Sequence, residues 1–142
     1  MTPHTLTMLL QVSAATQAVL AVANLFLVRM MGWKDCLNEL PRLARQVFVV
    51  HCRFISATLA TFASTTWLFA TEIAGGANAS MTWFSFCIAS FWTIRFVLQW
   101  TYYGRSHWMG RPWPTVVHFG CSIVYGSWSL VYWLAAFEGW RT

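Results

Sequence analysis

Residues 81–103 read MTWFSFCIASFWTIRFVLQWTYY. A helix of roughly 20 apolar residues, rising about 1.5 Å per residue, matches the hydrocarbon core of a bilayer. This stretch has that length and carries a single charge, Arg95, with Gln99 one turn on and Tyr102 almost another turn beyond. A guanidinium inside a spanning helix costs at least ~2.5 kcal/mol on insertion scales. Either Arg95 snorkels to a headgroup layer or it meets a partner on a neighbouring helix. The stretch therefore sets the class, a small all-α integral membrane protein, and marks a polar cluster toward one membrane face.

Composition agrees. The 142 residues are 58% hydrophobic, 18% aromatic and 9% charged, with a mean hydropathy of +0.52. Soluble domains carry about 25% charged residues, so this chain lacks the charge to coat a water-facing surface. Ten tryptophans suit the membrane–water interface, where this residue concentrates. A net charge of +5 would suit nucleic acid. Most of the basic residues nevertheless fall in or beside two short loops between apolar runs, as membrane orientation requires, so no nucleic-acid partner is expected. Cys36, Cys52, Cys87 and Cys121 show no C-x-x-C spacing, and neither a disulfide nor a metal site is expected of them.

Upstream, the first apolar run covers 6–31. A signal-peptide core needs only about 7–15 apolar residues, and here the positive charges Arg29 and Lys34 follow the run instead of preceding it. It reads as a retained span. Gln17 and Asn24, seven apart, share a face suited to polar contacts between helices, and Ala14 and Ala18 form a small-residue pair. Residues 32–45, GWKDCLNELPRLAR, are the most charged part of the chain. Trp33, Leu37 and Leu40 at helical spacing predict a short cytoplasmic amphipathic helix over 33–40, lying in the interface between the first and second spans. Pro41 then opens the next helix, whose span covers 46–70. His51 and Arg53 lie about 200° apart on its wheel. Arg53 heads a small face of Ala57, Ala60 and Ser64, which predicts that Arg53 points inward.

Residues 71–80, TEIAGGANAS, read as a loop turned by Gly75 and Gly76, with Glu72 solvated in it. The third span is 81–103. The loop GRSHWMGRPWP, 104–114, carries Arg105, His107 and Arg111. The fourth span, 115–137, has a stripe of His118, Ser122, Gly126 and Ser129 that should face the interior. Four spans joined by short loops predict an up-down four-helix bundle forming one membrane domain over 1–142. The positive residues of the first and third loops predict that those loops are cytoplasmic and both termini outside; compactness and the absence of eukaryotic targeting motifs point to a bacterial inner membrane.

This topology gathers Arg53, Arg95, Gln99, Tyr102, Tyr103, His118 and His51 toward one cytoplasmic-side layer. No carboxylate in the spans lies at that depth. Three readings follow. In the first, the side chains snorkel to headgroups, and the protein is a non-catalytic accessory or structural subunit, partnered by membrane lipids and by other membrane subunits or copies of itself. In the second, Arg53, Arg95, Gln99 and His118 bind an anionic lipid, a quinone or an isoprenoid phosphate. In the third, His51 and His118 are axial ligands of a b-type haem. No nucleophile–base pair and no H-E-x-x-H motif occurs, and Glu72 and Glu138 fall toward the other face, so no catalytic residue is expected.

Overall fold

The computed structural model describes residues 2–76, 78–104 and 108–141; they are helical, with no strand among them. In chain order the helices are α1 (Pro3–Leu25), α2 (Leu27–Met30), α3 (Lys34–Glu39), α4 (Arg42–Leu68), α5 (Ala70–Gly75), α6 (Ala79–Thr101) and α7 (Pro112–Arg141). Four of them, α1, α4, α6 and α7, are long and apolar enough to cross a membrane. Arg105 and His107, counted above in the third loop, lie outside the described residues.

The breaks between helices have local causes. Leu40 takes an extended ψ of 148° because the residue before a proline is pushed out of the helical region. Gly76, at φ 65°, supplies the left-handed turn that closes α5. Asn78 then caps α6, its side-chain oxygen accepting from the Ser80 N–H at 2.9 Å. Pro112 opens α7, where its missing N–H leaves nothing unpaired.

Two expectations change here. The first apolar run does not continue unbroken to residue 31. At Phe26 the chain tightens, its N–H bonding the Ala23 carbonyl, and α1 gives way to the single turn of α2. No proline or glycine marks that point in the sequence. The segment expected as a loop over 71–80 is helical as far as Gly75. Ala70, Ile73 and Ala74 are all buried, a helical stripe that the polar and glycine-rich composition of the segment concealed.

The chain divides into two compact units, Met1–Leu10 with Phe69–Thr142, and Gln11–Leu68. In the second unit, the Asn24 side-chain amide donates to the Cys52 carbonyl at 2.7 Å and to Ser56 Oγ at 2.9 Å. This is polar glue of the kind its position suggested. It also turns α4 the other way from the expected face. Ser56, Leu59, Ala63 and Thr66 are buried, whereas Arg53, Ala57, Ala60 and Ser64 are exposed. Two hydrogen bonds from Asn24 outweigh the preference of small residues for close packing.

In the first unit, α6 and α7 run antiparallel. Gly139 lies against Thr82, Phe86 against Trp133, Thr93 against Ser129, Phe96 against Gly126 and Gln99 against His118. The stripe His118, Ser122, Gly126, Ser129 thus faces α6. At mid-length, Thr93 Oγ1 shares a 2.7 Å hydrogen bond with Ser129 Oγ and accepts from the Trp133 indole at 3.0 Å. Every polar atom of this trio has a partner, so it reads as packing.

Candidate functional site

The end of the α6–α7 hairpin near Thr101 and Pro112 gathers Arg95, Gln99 and His118 into one hydrogen-bonded chain. Arg95 and Gln99 stand one turn apart on α6 and therefore on one face. Arg95 Nη1 donates to Gln99 Oε1 at 3.0 Å. Its guanidinium lies 4.6 Å from the centre of the Tyr125 ring and 5.7 Å from that of Tyr103. Among the described residues no carboxylate pairs with it.

Magnitudes decide what Arg95 needs. A hydrogen bond to a charged group is worth about 1.5–3 kcal/mol, and a cation over an aromatic face about 0.5–2 kcal/mol. Together these match the insertion cost of about 2.5–3.5 kcal/mol. Gln99 and the tyrosine faces therefore offset the charge without an external anion. The side chain reaches toward the C-terminal end of α6 to do so, which is snorkelling onto protein partners.

The hydrogen bonds run in one direction. Arginine has only donors, so Gln99 Oε1 must accept from it. The Gln99 amide nitrogen then donates to His118 Nδ1 at 3.1 Å. Assigned from this network, the imidazole proton sits on Nε2.

His118 is walled in by aromatic rings. Trp108 stacks on it, with centroids 4.2 Å apart and planes at 7°. Trp100 stands edge-on at 5.1 Å and Phe119 at 5.8 Å. The Trp108 backbone is fastened by its carbonyl, which accepts from the Arg111 N–H and from Thr115 Oγ1. His118 is 4% exposed and Trp108 9%. Among the described residues, neither His118 Nε2 nor the Trp108 indole nitrogen has a hydrogen-bond partner. Trp92, deeper along α6 between the rings of Tyr125 and Trp128, has a third such nitrogen.

Of the expected layer, the structure brings together Arg95, Gln99 and His118, with Tyr103 beside them. Tyr102 is 79% exposed and meets the group only edge-on through the Tyr103 ring, with centroids 5.9 Å apart. His51 and Arg53 belong to the other unit, both exposed on α4. Exposure of Arg53 corrects its expected inward placement. The sequence reading missed Trp108, Trp100 and Tyr125. A tryptophan just before the prolines of the α7 start was visible, but nothing in its spacing from His118 announces a stacked pair.

His118 as placed does not suit an iron ligand. An axial histidine offers an open ring-nitrogen lone pair, whereas here Nδ1 is engaged and Nε2 carries the proton in a sealed position. Among the described residues, no group of three or more His, Cys, Asp or Glu side chains could hold a metal ion. No known protein family, curated protein or solved structure matches this chain, so its site is read from its own chemistry.

Proposed function

We propose that the protein is an integral membrane protein that binds a membrane ligand through hydrogen-bond acceptors at the α6–α7 end, and that it is not an enzyme. The observation that carries this reading is the pair of buried, unpartnered donors, His118 Nε2–H and the Trp108 indole N–H. Leaving a buried donor unmet costs about 1–3 kcal/mol. Arg95 is met by its own neighbours, whereas these two groups are not, and an anionic lipid headgroup or a quinone carbonyl is the acceptor a bilayer supplies. The four long helices cross a bacterial inner membrane as an up-down bundle, with both termini outside, as the loop charges favour.

Native mass spectrometry of the protein released from mild detergent tests the reading. Wild type should carry a stoichiometric lipid or quinone, and His118→Phe, which keeps an aromatic ring and removes the donor, should lose it. A ligand-free wild type, or a ligand retained by His118→Phe, overturns it. An absorption spectrum of the same sample showing a Soret band lost on His118→Ala would restore the haem reading.

A second reading has its own support. Arg53, Ala57, Ala60 and Ser64 lie exposed along one face of α4, and a small-residue face of this kind permits close approach of another helix. On that basis the chain serves as an accessory subunit of a membrane complex or pairs with a second copy. Gentle purification should then retain additional chains; a monomer by mass removes the reading.

A further inference from the structure

The one-directional hydrogen bonding from Arg95 through Gln99 to His118 says more about the ligand than that it accepts hydrogen bonds. We propose that His118 Nε2–H and the Trp108 indole N–H hold the oxygens of one phosphate group, and that Arg95 and Gln99 are positioning residues that keep His118 a donor. This rests on the ligand-binding reading above and narrows it to one chemistry.

Three observations carry it. The two donors belong to rings stacked 4.2 Å apart, so they serve a group with more than one acceptor atom. Both are sealed and more than nine-tenths buried, so the acceptor must be worth the desolvation it suffers, which favours a charged one. Among the described residues, the charged side chain in the network is the cation Arg95, which has no carboxylate partner and donates to a neutral amide. A metal ion or an ammonium headgroup meets donors and a cation here, and is repelled. A quinone carbonyl offers one neutral acceptor atom to two donors and gains little from the nearby Arg95 cation. A phosphate supplies both the oxygens and the negative charge.

Entry requires the stack to part. The Trp108 backbone is held by Arg111 and Thr115, so it is the indole side chain that swings while its backbone stays in place. Gln99 keeps Nδ1 occupied throughout, and Nε2 keeps its proton for the incoming oxygen.

The test is long-range nitrogen–proton correlation NMR on the full chain labelled with 15N-histidine, with His118 assigned by the resonance missing from His118→Asn. Three samples are compared: nanodiscs of phosphatidylglycerol, nanodiscs of a phosphate-free galactolipid, and the galactolipid sample with added inorganic phosphate. The expected result is the Nε2–H tautomer in all three, with that proton moving downfield in phosphatidylglycerol. A shift with phosphatidylglycerol alone assigns a lipid headgroup; a shift with inorganic phosphate as well assigns phosphate from solution. An Nδ1–H tautomer, or identical spectra in all three samples, overturns the proposal. Trp108→Phe, which preserves the stack, should bind phosphatidylglycerol about ten-fold more weakly, the loss expected for one buried hydrogen bond; unchanged binding also overturns it. If His118→Phe loses a bound ligand while wild-type His118 keeps Nε2–H but gives identical spectra in all three samples, the ligand-binding reading stands and only the phosphate assignment falls.

Discussion

His118 and Trp108 lie ring on ring, 7° from parallel, with the turn into α7 folded so that the tryptophan closes over the histidine. This one contact joins the interhelical loop to the polar network of the hairpin. It makes the end of α6–α7 a site whose parts depend on one another.

Arg95 is the first residue to separate stability from binding. Its gains from Gln99, Tyr125 and Tyr103 are close to its insertion cost, so Arg95→Met should change unfolding free energy by no more than about 1 kcal/mol. The same substitution removes the cation behind His118 and should strip the bound ligand. Detergent unfolding curves alongside native mass spectra check both halves; a large loss of stability would make Arg95 structural.

The hairpin should be far less tolerant at Gly139 than at Gly126. A Cβ on Gly139 would collide with the Thr82 side chain, including its Cβ, which cannot rotate away. A Cβ on Gly126 would meet only the Phe96 ring, at 3.3 Å. Gly139→Ala should therefore cost about 1–3 kcal/mol as an overpacked contact, and Gly126→Ala clearly less. Equilibrium unfolding of the two variants decides the order, and Thr82→Gly should rescue Gly139→Ala.

At mid-hairpin, Thr93→Val removes the acceptor of the Trp133 indole and the partner of Ser129 at once. Two polar groups are left unmet, at about 1–3 kcal/mol each. Ser129→Ala leaves Thr93 with other partners, the Ala89 carbonyl and the Trp133 indole, and should cost less. Thermal unfolding that ranks the two variants the other way would refute this account of the trio.

Membrane orientation gives a prediction independent of the site. Cys36 is exposed on α3, in the loop expected to be cytoplasmic. In a variant keeping only that cysteine, an impermeant maleimide should fail to label intact cells and should react after lysis. Asn78→Cys in a cysteine-free background should label in intact cells. The opposite pattern would invert the topology.

Much of this was legible in the sequence because hydrophobic length is a one-dimensional property. Four apolar runs of spanning length, Pro41 ahead of α4 and the i, i+4 pairing of Arg95 with Gln99 needed only periodicity and the chain's own order. The stripe from His118 to Ser129 was readable for the same reason, since helical period alone puts those residues on one face.

What only the tertiary structure decided is which face meets which. Arg53 and the small residues after it had the pattern of a packing face, yet Asn24, distant in sequence, bonds Cys52 and Ser56 and leaves Arg53 exposed. Ala70, Ile73 and Ala74 became helix instead of loop because that turn is buried. The relay from Arg95 to His118 and the stack of Trp108 depend on how α6, α7 and the turn between them close. Sequence by itself determined the four long helices and the single charge within α6; rotation about each helix axis and the partners of Arg95 came from non-local hydrogen bonds and ring contacts, which no local period encodes.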